Sequence, residues 1–365
     1  MKSEKLGKSI FRYKSYTFAT MEKLDIRKLS LEQITELIQS MGELAFRAKQ
    51  IYSWIWQKSA RSIDEMTNLS KALREKLNEG YEIRCIKVDT VQYSDDGTIK
   101  SRFQLHDGHM IESVLIPVKR QDRYTVCVSS QVGCSLSCTF CATGKMKRLR
   151  NLDPGEIYDQ VVMVNEQAME RFEHPLTNIV YMGMGEPLLA YKNVLESIHH
   201  ITGEHGLHMS PRRITVSTAG IAKMIRKLAD DDVKFNLALS LHAADDTKRD
   251  EIMPINEQNT LDILMDAIKY FHDKTGNRIS YEYIAFDGFN DTQQDAMNLV
   301  KLCKIFPVKV NIIEYNPVEG VTLTKSAEEQ TDKFAATLER HGVTVTIRRS
   351  RGKDIDAACG QLANK

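Results

Sequence analysis

The sequence predicts an α/β protein: a partial (β/α)6, TIM-like barrel, with an N-terminal helical accessory domain and a small β extension before it. Three observations lead there. From Tyr124 onward, apolar strand-like runs alternate with helical patterns, which implies a parallel sheet with crossover helices. Six such units are present, so the barrel is expected to be open on one side. Polar or glycine-rich residues follow most of the strands rather than one or two of them, as in a barrel whose site is assembled from many strand ends.

Residues 1–80 form the helical domain in this reading. Leu31, Ile34, Leu37 and Ile38, then Phe46, Ile51, Trp54 and Ile55, recur at helical spacing, and Gly42 with Glu43 breaks the run into two helices. A third helix fits Ser70 to Asn78, with Ser70 as N-cap and Gly80 just past its end. Residues 1–60 hold 11 Lys and Arg against 6 Asp and Glu. That excess is either an ordinary solvated helix surface or an electrostatic footprint for an acidic partner such as RNA. Residues 81–120 read as short antiparallel strands, split by turns at Asp95–Asp96–Gly97 and Asp107–Gly108.

The barrel is expected over residues 121–347. Its strands are TVCVSS, NIVYMG, RITVST, VKFNLALSLH, ISYEYIAF and VKVNIIEYN, nearly continuous apolar runs of the kind that helices cover. Helices begin near Pro154, Lys192, Gly220, Thr260 and Asp291, and a sixth runs from Ser326 to His341 before a Gly342 cap. A short strand, TVTIRR, follows, and residues 348–365 form a C-terminal tail.

Composition narrows the functional classes. The 365 residues are 42% hydrophobic and 27% charged, which excludes wholesale disorder. A balance of 50 Lys and Arg against 49 Asp and Glu excludes a cationic coat but allows locally basic faces. KMKRLR at 145–150, PRR at 211–213 and RRSRGK at 348–353 are expected to flank the barrel mouth as a phosphate-binding rim. No apolar run reaches the length of a membrane span, and the lysines near the N-terminus lack the apolar run of a secretory signal. A cytoplasmic monomer is expected.

Seven cysteines are too few for a disulfide scaffold, but their placement is informative. Cys134, Cys138 and Cys141 form C-x3-C-x2-C inside GCSLSCTFCATG. Zinc sites usually take four ligands, commonly from C-x2-C pairs. Three close thiolates without a local fourth suit a [4Fe–4S] cluster with one open iron. Buried structural thiols, or a zinc site borrowing a distant histidine, are the alternatives. Small residues (Ser135, Ser137, Ala142) and the flanking Gly133 and Gly144 permit a tight wrap around an inorganic cube.

MGMGEP, residues 182–187, follows the second strand. Alone, such a loop is most simply turn chemistry. Placed one strand after the cysteine motif, its glycines and Glu186 become candidates to meet an amino group. Cys127, in the first strand, and Cys359, in DIDAACGQL, do not fit the cluster spacing. Either could be a small apolar filler, as Cys303 is read to be. Cys359, after a polar stretch, could instead be a low-pKa nucleophile favoured by Arg348, Arg349, Arg351 and Lys353.

The cysteine triplet resembles the signature of the radical S-adenosylmethionine (SAM) superfamily. SSQVGCSLSCTFCATG, NIVYMGMGEPLL, RRITVSTAG, LALSLHAA, RDEIMPIN, EYNPVEG and DIDAACGQL together resemble its RlmN/Cfr family of RNA methyltransferases, as do MGELAFRAKQIYSWIW and DEMTNLSKALREKL before them. The resemblance implies a radical SAM barrel and two SAM molecules per turnover. It implies that Cys134, Cys138 and Cys141 ligate a [4Fe–4S] cluster whose fourth iron is open to SAM. Gly185, Glu186, Ser217, Ser240, Leu241, His242 and Asn316 match positions that hold SAM. Cys359 matches the cysteine that becomes S-methylated, Cys127 the cysteine that closes a transient disulfide with it, and Glu112 the proton acceptor. The implied substrates are an adenine of the 23S rRNA peptidyl transferase centre and the adenosine 3′ to the anticodon in tRNA, methylated at C2, with a flavodoxin-like or equivalent electron donor. Cfr-type methylation at C8 of the same ribosomal adenine is the alternative. A non-enzymatic Fe–S or zinc RNA-binding protein would have no use for Cys127 or Cys359.

Overall fold

The computed structural model describes residues 22–364, which divide into two compact units: 22–55 with 60–84, and 56–59 with 85–364. In the first, β1 (Leu24–Asp25) pairs parallel with β2 (Tyr81–Glu82), joining the two ends of the helical segment. α1 (Leu31–Ser40) opens with a capping box: the Ser30 hydroxyl accepts the Gln33 N–H, and the Gln33 side chain accepts the Ser30 N–H. Its Ile34 and Ile38 are buried one turn apart. α2 (Phe46–Trp56) follows a turn in which Gly42 holds φ +82. α3 (Lys71–Gly80) is capped by the Ser70 hydroxyl and buries Leu73 and Leu77. Gly80 is the last helical residue rather than the one past the end. The chain leaves through extended Tyr81 directly into β2, so no left-handed glycine is needed.

The second unit is built on a ten-stranded sheet. β3 (Lys87–Tyr93), β4 (Ile99–Gln104), β5 (Met110–Val118) and β6 (Arg123–Cys127) run antiparallel to one another. The first two turns hold glycines where expected, Gly97 at φ +88 and Gly108 at φ +82. A separate two-stranded ribbon, β7 (Gln131–Val132) with β8 (Arg150–Asn151), follows. Then come α4 (Pro154–Phe172), β9 (Asn178–Tyr181), α5 (Tyr191–Thr202), β10 (Ile214–Thr218), α6 (Ala222–Asp230) and β11 (Asn236–Ser240). The remainder is α7 (Asp246–Ile252), α8 (Leu261–Thr275), β12 (Ile279–Ala285), α9 (Gln293–Cys303), β13 (Lys309–Glu314), α10 (Glu328–Arg340) and β14 (Thr344–Arg348).

β6, β9, β10, β11, β12, β13 and β14 lie side by side in chain order, every neighbouring pair parallel. The order never reverses, so it lacks the switch point of a doubly wound sheet. The short strand TVTIRR is a full member as β14, paired with β13 from Thr344 to Arg348. Helices cover these strands, and Leu237, Ala238 and Leu239 of β11 are all buried although they alternate faces. α7 was not expected. Its sequence, DTKRDEI, is too polar and short to show an apolar stripe. No described helix is long and apolar enough to cross a membrane.

Candidate functional site

The carboxyl ends of β9, β10, β11 and β12 open into one mostly apolar cavity with a few polar groups on its walls, the setting of a small-molecule site. The cysteine loop forms one wall. Its two ends are pinned by the β7–β8 ribbon, in which Gln131 faces Asn151 and Val132 faces Arg150. Arg150 is in turn held by Glu156 and Asp107. Within the loop Ser137 adopts φ +54, a costly conformation for a residue with a Cβ. Gly144 approaches so closely that a Cβ there would lie 2.8 Å from the Cys138 carbonyl oxygen. Cys138 and Cys141 pack against an apolar cluster containing Phe140, Met253, Ile284 and Phe286.

Cys134, Cys138 and Cys141 all line the cavity. Burial pushes each thiol up, Cys134 to about 11, and the mutual repulsion of the three with Glu186 adds to the rise for Cys134 and Cys138. Such thiols become thiolates when cationic iron replaces their protons. Among the described residues, no group of three or more His, Cys, Asp and Glu converges on a single metal-ion position, whereas a cube of four irons takes only one thiolate per iron. Three soft sulfur donors around one cavity, with open space beside them, fit an iron–sulfur cluster that keeps an exchangeable corner.

Gly185, Glu186, Ser217, Ser240 and His242 line the same cavity. Gly185 holds φ +95, and a Cβ would come within 2.4 Å of the Gln131 side chain, so the loop can reach the cysteine wall only with glycine there. Glu186 is buried; Oε1 accepts the Leu188 N–H at 3.0 Å and Oε2 the Ala219 N–H at 2.8 Å. Burial raises its carboxyl, and the N–H groups of Ala219 and Leu188 with the Thr218 hydroxyl oppose the rise. Ser217 and Ser240 hydroxyls lie 3.3 Å apart. His242 sits at φ +56, and its Nδ1 accepts the Ile284 N–H at 3.1 Å, leaving the ring proton on Nε2. Burial, with a lesser contribution from Arg249, holds its pKa at about 3, so the ring is a neutral donor.

Arg249 is the residue that sequence reasoning missed. It is fully buried and donates to the carbonyls of Leu241 at 3.1 Å and Ala219 at 2.6 Å, and to Asn256 Oδ1 at 2.5 Å. The loops after β10 and β11 are thereby tied together beneath the cavity. The charged run DTKRDEI reads as solvated surface, and the one available signal was that Arg249 lies in RDEIMPIN, a stretch that carries the family resemblance.

Four expected residues do not line the cavity. Leu241 is buried, and its carbonyl serves Arg249. Asn316 donates from Nδ2 to Ser350 Oγ at 2.9 Å and the Glu314 carbonyl at 3.2 Å. Cys127 is buried on β6 between Val114 of β5 and Val180 of β9. Glu112 is buried on β5 and accepts N–H bonds from Ala363 and Asn364.

Cys359 does reach the cavity, from the far end of the chain. Its loop is fastened to the cysteine wall where the Ala142 N–H donates to the Gly360 carbonyl at 2.7 Å and the Thr143 hydroxyl to the Leu362 carbonyl at 2.6 Å. The side chain is exposed, but to the cavity, with protein around it. That enclosure pushes the thiol up, with Glu282 and Cys141 adding and Arg348 opposing. The low pKa expected from the neighbouring basic run is therefore reversed. Arg348 is already paired with Glu282, Nη1 to Oε2 at 3.2 Å, so its charge is partly spent. Burial, then repulsion from Cys359, raises Cys127 to about 12. Both are free thiols.

The basic rim is smaller than expected. PRR precedes β10 and stands at its amino end, opposite the carboxyl ends that line the cavity. Arg349 and Lys353 converge on Glu314, and Arg150 is committed to Glu156 and Asp107.

The chain is similar to known proteins over almost its whole length. Residues 24–83 match the ribosomal RNA large subunit methyltransferase N-terminal domain, and residues 128–300 match the radical SAM superfamily. A Cytophaga hutchinsonii protein named as a probable dual-specificity RNA methyltransferase RlmN is 54% identical over 96% of this chain and 95% of its own length. The dual-specificity RNA methyltransferase RlmN of an Anaeromyxobacter species is 44% identical over 93% of this chain and 90% of its own. The crystal structure of a radical SAM methyltransferase from Sphaerobacter thermophilus superposes with a TM-score of 0.88 at 38% identity, covering 94% of this chain and all of that one.

Proposed function

The chain belongs to the RlmN family of radical SAM, dual-specificity RNA methyltransferases, and from that premise we propose that it methylates C2 of adenine in 23S rRNA and tRNA through Cys359. The observation that carries the reading is the position of Cys359 on the same cavity as Cys134, Cys138 and Cys141. A structural thiol would have no reason to be brought there from the chain end.

In this reading the seven parallel strands form the partial barrel, and its cysteine triplet holds a [4Fe–4S] cluster. When bound, the cluster with SAM at its open iron supplies a 5′-deoxyadenosyl radical. Glu186, Gly185, Ser217, Ser240 and His242 hold SAM from the cavity wall. Leu241 contributes through its backbone, and Asn316 shapes the loop after β13. Cys359 accepts a methyl group from a first SAM. The Cys359 methyl group gives a hydrogen atom to the deoxyadenosyl radical, and its carbon then adds to C2 of the adenine, an electrophilic carbon that polar transfer from SAM would not methylate. The adduct gives up one electron, matching the one that SAM cleavage takes in. Glu112 takes the C2 proton. Cys127 then gives up its proton and forms an S–S bond with Cys359 as the C–S bond breaks. The electron pair stays with the carbon, which takes up a proton to become the methyl group of the released base. Enclosure of both thiols suits this chemistry, because it keeps each protonated and unreactive until its turn.

The adenine has to leave its stack to reach such a cavity. The cycle needs a one-electron donor of flavodoxin type and a reductant for the disulfide, which suits a cytoplasmic monomer. The test is anaerobic reconstitution with iron and sulfide, then incubation with SAM, reductant and either rRNA or tRNA. Nucleoside mass analysis should find 2-methyladenosine in both. Finding 8-methyladenosine instead would replace C2 with C8 as the target.

A further inference from the structure

We infer that Glu112 is a positioning residue for Cys359: its carboxylate latches the end of the chain and so holds the thiol at the cavity. The inference rests on the reading of Cys359 as methyl acceptor. Glu112 is wholly buried, and Oε2 accepts the N–H of Ala363 at 2.9 Å and of Asn364 at 3.1 Å. Asn364 is further bound by its Nδ2 to the Met110 carbonyl at 2.9 Å and by its own carbonyl to Arg102 Nη1 at 3.1 Å. On the other side, Glu112 Oε1 stands 3.5 Å from Nζ of Lys100, itself buried. The two side chains project from adjacent strands, diagonal to one another in the β4–β5 register.

A second anchor precedes Cys359. The Asp354 carboxylate accepts the Ser94 hydroxyl at 2.6 Å and the Asp95 N–H at 3.2 Å, and the Gly352 N–H donates to Asp96 Oδ2 at 3.0 Å. These partners lie in the β3–β4 turn, so both ends of the Cys359 segment are staked to the antiparallel strands. Between the stakes it touches the cysteine loop at Ala142 and Thr143.

The segment has few apolar side chains to hold it: Ala357, Ala358 and Leu362 are buried. Its placement therefore depends on polar anchors, and in the Lys100–Glu112 pair both charged groups are buried, so leaving either without its partner is costly. A group acting only as proton acceptor would face the cavity. Glu112 faces the tail instead, so its carboxylate serves the tail first and can meet the base only after the latch opens.

The experiment compares four proteins as anaerobically reconstituted holoenzyme: wild type, Glu112→Ala, Glu112→Gln, and a chain ending at Leu362. The last removes the latched residues without unpairing Lys100. Iron content, amide exchange over residues 357–361, and methylcysteine at Cys359 with SAM but no RNA are measured. Glu112→Ala and the shortened chain should keep their iron, exchange about tenfold faster or more, and form methylcysteine correspondingly slowly. Glu112→Gln keeps a carbonyl oxygen for the two N–H groups, so it should restore both readouts while remaining unable to take a proton. Normal exchange and methylcysteine formation in Glu112→Ala and in the shortened chain would overturn the latch. Slow methylcysteine formation in all three variants with wild-type exchange would overturn it as well. A wild-type protein that never forms methylcysteine would sink the proposed function instead, and exchange would still judge the latch.

Discussion

The guanidinium of Arg249 donates to the carbonyl of Ala219 across 2.6 Å, and its Nε reaches the carbonyl of Leu241, so one buried cation fastens two of the loops that wall the cavity. Glu186 fastens the same Ala219 through its N–H, so both backbone polar groups of that residue are engaged. Replacing Arg249 with Met would leave the carbonyls and Asn256 buried without donors. The cost should be about 3 kcal/mol or more of stability, read from urea denaturation. Arg249→Lys should recover little, since an ammonium cannot span the same acceptors. A stable Arg249→Met protein with unchanged SAM affinity would show that the loops hold themselves.

Metal content tests the cysteine wall. The protein reconstituted without oxygen should carry about four irons and broad visible absorption, and Ala at Cys134, Cys138 or Cys141 should remove both. Glu186→Ala should retain the iron yet weaken SAM binding by about 1.5–3 kcal/mol, measured by calorimetry. Stoichiometric zinc without iron after reconstitution would contradict the assignment.

The two outlying thiols should fail at opposite ends of the cycle. Cys359→Ala should form neither methylcysteine nor an RNA adduct. Cys127→Ala should keep its cluster, methylate Cys359 and then remain covalently joined to RNA. Denaturing electrophoresis with labelled RNA, followed by peptide mass analysis, separates these outcomes. Multiple turnover by Cys127→Ala without trapped RNA would remove its role as the resolving thiol.

His242 predicts an acid limb in stability. Above about pH 6.5 the imidazole is neutral in the folded and the unfolded chain alike, so it contributes no slope. As the pH falls below that value the unfolded chain takes up a proton that the folded chain, with His242 held at about 3, refuses. Stability should then decline down to about pH 3, by at most about 1.4 kcal/mol per pH unit from this group. Denaturation at pH 7, 6 and 5 should show a shallower decline for His242→Gln than for the wild type. Equal slopes would mean that other groups set the acid limb.

The sequence by itself determined the cysteine triplet, the alternation of strands and helices from Tyr124, the glycine turns at Gly97 and Gly108, and the Ser70 helix start. Each is a local property, because spacing, periodicity and capping act over a few residues and leave their mark within a few residues. Tertiary structure alone decided what meets at the cavity. Cys359 arrives there because the tail is tied to Thr143 and Glu112, partners with no sequence proximity to it. Arg249 looks like solvated charge in DTKRDEI until carbonyls of two separate loops surround it. PRR looks like part of a basic mouth until the direction of β10 puts it at the opposite end. A polar side chain has the same local sequence signature whether it meets water or a distant backbone group. Only the path of the chain determines which of the two it meets, and with it the pKa of Cys359, the protonation of His242 and the partner of Glu112.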